Sequence, residues 1–389
     1  MIKIIYITLK LLEIIIFYLS GKQLSKTKTN KNYWKIALFP MIIFTFVEGF
    51  RFGRMIDYNL YAVRYFTLGN GIEGLDKEYE PLFDFIFTGS YTLGIPYSCF
   101  IALQCLFLIF SILHLFSNFK KTLPYALPFV LSLIMMNENF IRWYMGFSFV
   151  ILSISYIIQN KLIKSTSMLI CACLTHIGCI FFIPFIWGYN LINRELIKPS
   201  ILSIIYILAV LVFSISSMQV LVTMANVALS LGTGSLDPSL EGYLSHMDLI
   251  ISGEQGNMGM TEWGISKQIR VILSFLPIIY ITPKTLQDTK YGYYIYNLSL
   301  IGILLTPLFS KVELLGRYSD AFLFFSSISG GIMYYYVFSK KVKINKLLYW
   351  ICIISFIFNI YPYIGNALSR SNNNEMLFIW DANGREYLL

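Results

Sequence analysis

Three stretches combine arginine with a carboxylate where an apolar run ends: GFRFGRMIDY (residues 49–58), NENFIRW (137–143) and VELLGRYSD (312–320). At helical spacing, Arg51, Arg54 and Asp57 stand three apart and share one face, while Glu138–Arg142 and Glu313–Arg317 form i, i+4 pairs. A guanidinium is a planar fork of donors that stays charged and grips phosphate or carboxylate at two points. A fourth stretch, CACLTHIGCIFF, sets His176 in an apolar setting, where a neutral imidazole can take a proton from a hydroxyl. The run DKEYEP supplies Asp76, Glu78 and Glu80 as further acids, and Tyr58, Tyr61, Tyr65 and Tyr318 offer rings for stacking on sugars. Together these residue types suit binding of a phosphate-like anion beside a hydroxyl that must be deprotonated. The alternative is interfacial arginine that snorkels or pairs with nearby acids, and tyrosine of an aromatic belt.

The elements that must carry these groups are membrane helices. Of 389 residues, 57% are hydrophobic and 13% charged, against about a quarter charged in soluble domains. Apolar runs near the roughly 20 residues needed to cross a core about 30 Å thick recur to residue 363. The first of them has no small-residue cleavage site and precedes a Lys-rich loop, so it reads as a retained helix. The six cysteines lie in apolar stretches without metal-type spacing and read as packing residues. A net charge of +9 could suggest nucleic acid, but the lysines sit in short loops between spans: GKQLSKTKTNKNYWK, NFKK, NKLIK and SKKVKINK. That is the positive-inside pattern, which marks those loops as cytoplasmic and argues against a nucleic-acid partner.

With residues 21–35 inside, the expected crossings are 2–20, 36–50, 97–116, 123–137, 143–160, 200–222, 269–283, 292–310, 318–338 and 347–363. Segment 51–96 then lies outside, with a short re-entrant or interfacial helix at 81–93, and 223–266 forms a long polar outer loop. The stretch 165–190 is either one span or two half-helices hinged near His176–Gly178; the second suits the basic count of NRELIKP. The fold class is an all-α polytopic membrane protein of about ten or eleven helices, a single domain over 1–389. No internal repeat is visible, which weakens a transporter of two related halves.

On this topology eight of the nine arginines, all but Arg194, fall at or beyond the outer face, against the charge rule that lysine satisfies. An outward anion at membrane level explains the sorting. No P-loop, GxGxxG after a strand, HExxH or GxSxG elbow occurs.

These stretches resemble the EpsG-type branch of the Wzy family, the bacterial O-antigen and exopolysaccharide polymerases. FRFGRMIDYNLY, EPLFDFI, NENFIRW, LTHIGCIFFIPF and ELLGRYSDAFLFF carry the likeness, in the family's order, over about residues 45–340. Trp143 stands where many relatives carry Gln. The resemblance implies a GT-C-like fold in the bacterial inner membrane, multi-pass, with its active site toward the periplasm. It implies a membrane glycosyltransferase joining undecaprenyl-pyrophosphate-linked oligosaccharide repeats, with a chain-length regulator protein as a candidate partner. In that scheme Arg51, Arg54, Arg142 and Arg317 hold the pyrophosphate, and Asp57, Glu80 or His176 activates the acceptor hydroxyl. Tyr58, Glu138, Glu313 and Tyr318 touch the glycan, and Tyr243, His246 and Trp263 of the outer loop are available to it. A pyrophosphate leaves readily, so no metal or cofactor is required. The rivals are an O-antigen ligase, a flippase of the same lipid-linked glycan, and a membrane O-acyltransferase using His176.

Overall fold

The computed structural model describes residues 2–52, 56–68, 80–212, 263–286, 289–309, 313–372 and 377–378. In chain order the helices are α1 (Ile2–Leu24), α2 (Asn30–Phe44), α3 (Ile56–Thr67), α4 (Pro81–Thr92), α5 (Tyr97–Phe116), α6 (Leu123–Leu133), α7 (Ile141–Ile158) and α8 (Leu162–Thr175). They continue with α9 (Ile183–Trp187), α10 (Tyr189–Ile192) and α11 (Pro199–Val212). After the undescribed segment come α12 (Ile265–Ile281), α13 (Gly292–Phe309), α14 (Glu313–Leu323), α15 (Ser326–Phe338) and α16 (Lys346–Asn372). A two-residue antiparallel pair, β1 (Arg51–Phe52) with β2 (Leu377–Phe378), matches Arg51 to Phe378. The architecture is the all-α polytopic membrane fold that the composition dictates.

Six described stretches are long and apolar enough to cross a membrane: Tyr97–Leu133, Ile141–Ile158, Ile265–Thr285, Gly292–Phe309, Leu315–Phe338 and Lys346–Leu368. The other expected crossings fall on α1, which carries Lys10 and Glu13 within it, and on α2, 15 residues continued by a π turn at Thr45–Gly49. One more falls on 200–222, described only to Val212. The 37-residue stretch Tyr97–Leu133 is not one rod: Phe119 has non-helical dihedrals (φ −127°, ψ 42°), dividing α5 from α6 beside Lys120 and Lys121. Large apolar side chains stay exposed on outward helix faces, among them Ile4, Leu38, Ile42, Ile163, Ile204 and Leu347. Apolar surface of that extent is tolerated in lipid and not in water.

The choice left open over 165–190 is resolved: α8 stops at Thr175, His176 is extended (φ −152°, ψ 116°), and a tight 3₁₀ turn, Ile177–Phe182, leads into α9. Pro184 marks where the α-helix restarts after the 3₁₀ turn, because its missing N–H falls in the first turn of α9, where no helical partner is needed.

At the centre, α7 packs on α5 and α8, and α13 packs on α14. Gly302 permits the second contact. A Cβ there would stand 2.1 Å from the Leu323 nitrogen, so only a hydrogen lets α14 lie this close. Elsewhere in the interior, Lys10 and Arg51 both pair with Glu48, and the Tyr363 hydroxyl bridges Glu48 (2.8 Å) and Glu13 (2.5 Å). This network ties α1, the π turn, β1 and α16 together with its charges matched.

Candidate active site

Glu80 precedes α4, whose first residue is Pro81, and its carboxylate does not cap that helix. It reaches across to two other segments. Its Oε2 lies 2.8 Å from Arg142 Nε, and its Oε1 accepts the Ile177 amide at 3.2 Å. Arg142 is in the first turn of α7, where aligned peptide dipoles already favour an anion. His176 Nδ1 stands 3.7 Å from Glu80 Oε1, too far for a hydrogen bond, and instead accepts the Gly178 amide at 3.0 Å. An imidazole accepting at Nδ1 carries its hydrogen on Nε2, so His176 presents a donor at its other end.

The next layer is aromatic. Trp143 stands edge-on to His176 (5.1 Å) and to Tyr318 (5.2 Å), filling the space between the hinge and α14. Arg317 lies over the Phe140 ring, 4.0 Å from its centre, and Arg142 lies 5.9 Å from that of Tyr61. Both guanidiniums bear electrostatically on His176. Burial pushes the Glu80 carboxyl up to about 7, against the Ile177 amide, which favours its ionised form. Arg142 at contact distance also favours the carboxylate. A carboxyl balanced this way changes state near neutral pH, the range suited to proton transfer.

Of the sequence candidates, Glu80, Arg142, His176, Tyr318 and Arg317 come together here from four separate segments. Asp57 begins α3 close by: its amide donates to Asn139 Oδ1 at 3.1 Å, tying α3 to the turn before α7. Arg51 goes elsewhere. It is 2% exposed and paired with Glu48, so its expected role on a pyrophosphate is corrected to one in the interior network. Tyr58 is likewise enclosed, edge-on to Tyr97 at 5.3 Å; a ring without open faces packs and does not stack on a glycan. Arg54, Tyr243 and His246 lie outside the described residues, as do the side chains of Glu138 and Glu313. Trp263 is buried at the start of α12, its carbonyl held by Gln268, which removes it from the glycan contacts expected of the outer loop.

Sequence reasoning missed Gly178 as a structural requirement. A Cβ on it would meet Tyr318 Oη at 2.8 Å and His176 Nδ1 and Trp143 at 3.1 Å. We expect Gly178→Ala to lower activity roughly ten- to hundredfold by displacing these groups. Adding Tyr318→Phe, which removes the nearest atom, should restore part of the loss. Equal activity of the single and double variants in membranes of matched protein content would refute this contact as the cause.

Among curated proteins and among solved structures, no match was found. The EpsG family model matches residues 5–377. That match takes in every segment of the site: the turn before α4, the start of α7, the His176 hinge and α14. With a fold of apolar crossings and an inward-gathered cluster of arginine and acid, this multi-pass membrane protein of polysaccharide biosynthesis belongs to the EpsG family.

Proposed function

We propose that this protein is a GT-C-type polymerase that joins undecaprenyl-pyrophosphate-linked oligosaccharide repeats at the periplasmic face of the inner membrane. The observation that carries the reading is the convergence of Glu80, Arg142 and His176 on one site, with Arg317 over Phe140 beside Arg142. Guanidinium groups at the start of a helix suit a pyrophosphate. A carboxylate balanced near neutrality suits a sugar hydroxyl.

In this mechanism Arg142 and Arg317, together with Arg54, hold the donor's pyrophosphate and stabilise the charge that grows as the glycosidic bond to phosphate breaks. The incoming phosphate competes with Glu80 for Arg142. As it wins, Glu80 Oε2 turns to the acceptor hydroxyl and takes its proton while the sugar oxygen bonds to the anomeric carbon. His176 donates from Nε2 to a glycan or phosphate oxygen. Holding two bulky lipid-linked glycans in register supplies much of the remaining rate.

The test is the glycan ladder of cells lacking the gene. Loss of a polymerase leaves single repeats attached to their acceptor. Loss of a ligase instead leaves polymer on its carrier, and loss of a flippase leaves repeats on the cytoplasmic side. A ladder of normal spacing and length in the deletion strain would refute polymerisation.

A further inference from the structure

Arg64 and Asp84 form an ion pair that the mechanism above does not use. Arg64 stands in the last turn of α3 and Asp84 in the first turn of α4, each at the helix end whose dipole favours its charge. Arg64 Nη2 lies 3.0 Å from Asp84 Oδ1, with the two side chains 17% and 29% exposed. Neither helix belongs to the six stretches long enough to cross a membrane, and a bridge this exposed adds little stability. The two helices are already joined by rings: Tyr61 of α3 meets Phe83 (5.5 Å) and Phe87 (6.1 Å) edge-on, and Tyr65 meets Phe87 (5.1 Å). Packing does not require the bridge.

The chemistry of its neighbour does. The Asp84 amide donates to the Glu80 carbonyl at 3.1 Å, so the two acids stand four residues and one turn apart. A second carboxylate at that distance opposes ionisation of Glu80, the form that accepts a proton, and Arg64 offsets it. The other elements around Glu80 contribute Arg142 of α7, His176 and Cys179 of the hinge and its 3₁₀ turn, and Tyr61 of α3. Asp57 shares the α3 face of Tyr61 and Arg64, at i, i+4 and i+7. We propose that Arg64 and Asp84 are a positioning pair for Glu80, closing the first turn of α4 against α3 and setting the charge beside its carboxylate. The two side chains act on Glu80 in opposite senses. The proposal rests on Glu80 as proton acceptor in the polymerase reading.

The test exploits sign. Arg64→Gln and Asp84→Asn break the same bridge but remove opposite charges, which separates charge from packing. The purified full-length protein is titrated by infrared difference spectroscopy, following the carboxyl band that Glu80→Gln removes. Arg64→Gln should move its midpoint up by about half a pH unit, and Asp84→Asn should move it down by a similar amount. The double variant should return to within about 0.2 pH unit of wild type, because both charges are gone. The acid limb of turnover should follow the same order. Single variants that shift the midpoint in the same direction, or leave it within about 0.2 pH unit of wild type, overturn the proposal. Asp84→Asn keeps the side-chain shape and carries the test alone if Arg64→Gln fails to fold; an unmoved or raised midpoint then refutes it. A normal ladder in the deletion strain would sink the polymerase reading but leave these midpoints measurable, so the two failures are distinguishable.

Discussion

Arg142→Lys is expected to reduce polymer output by about 10²- to 10³-fold, leaving short chains or single repeats, at unchanged abundance in the membrane. Lysine keeps the charge and loses the fork. The wild-type guanidinium pairs with Glu80 through Nε at 2.8 Å, and in the proposed mechanism the same planar fork also takes the donor's pyrophosphate. An ammonium is a compact point charge and does not reproduce that shared geometry. The lysine variant is more informative than alanine. Removing the cation strands the Glu80 carboxylate, which is 6% exposed, and breaking a buried pair in this way costs about 3–5 kcal/mol of stability. Loss of activity in alanine would therefore mix folding with chemistry. The measurement is glycan chain length against membrane protein content. Wild-type chain length from Arg142→Lys would remove the bidentate anion site, and with it the main support for the polymerase mechanism.

Glu80→Gln should cost about 10²- to 10⁴-fold in turnover, the range for removing a positioned proton acceptor. The substitution keeps shape and keeps an oxygen for the Ile177 amide, so the hinge stays ordered. Its signature is in pH. Because burial lifts the Glu80 carboxyl to about 7, the working carboxylate is lost as pH falls below that value. Wild-type turnover should therefore drop about tenfold per pH unit on the acid side and level off above it, while the residual turnover of the Gln variant should lack this limb. Stability runs the other way. A carboxyl whose folded value exceeds its unfolded value of 4.5 binds more protons when folded. Its stabilising contribution is thus full below 4.5 and is lost as pH rises toward 7. The Gln variant should lack that decline, which thermal unfolding in detergent across this window would register. A Gln variant with the wild-type acid limb would assign the limb to another group and remove Glu80 as the proton acceptor.

Some of this was readable from the chain because it depends on local pattern. Apolar run length and low charge gave the all-α membrane fold, and lysine placement predicted the return near Lys120–Lys121, where the break at Phe119 divides two helices. The motif order gave the family. The basic count of NRELIKP favoured a hinge at His176–Gly178, where the helix indeed breaks. Arginine at the ends of apolar runs pointed to Arg142 and Arg317, but not to their partners: Glu138 closes a 3₁₀ turn, and Asn139 and Phe140 separate it from α7, so Arg142 shares no helix face with it and pairs with Glu80 instead.

Partnership between helices was not readable. Periodicity says which residues share a face and is silent on which face meets which helix. Arg51 and Arg142 have the same chemistry and similar surroundings in sequence. Only packing sends Arg51 inward to Glu48 and sets Arg142 against Glu80. The same holds for Tyr58, enclosed, and Tyr61, which meets Arg142. Gly178 and Gly302 look like ordinary loop and helix glycines until the neighbouring segment fills the space a Cβ would need. The sequence by itself determined the solvent, the helices and the kinds of chemistry available, since these are properties of one segment at a time. The tertiary structure decided which acid holds which arginine, because charge pairing in a low-dielectric interior depends on distances of a few ångströms between segments remote along the chain.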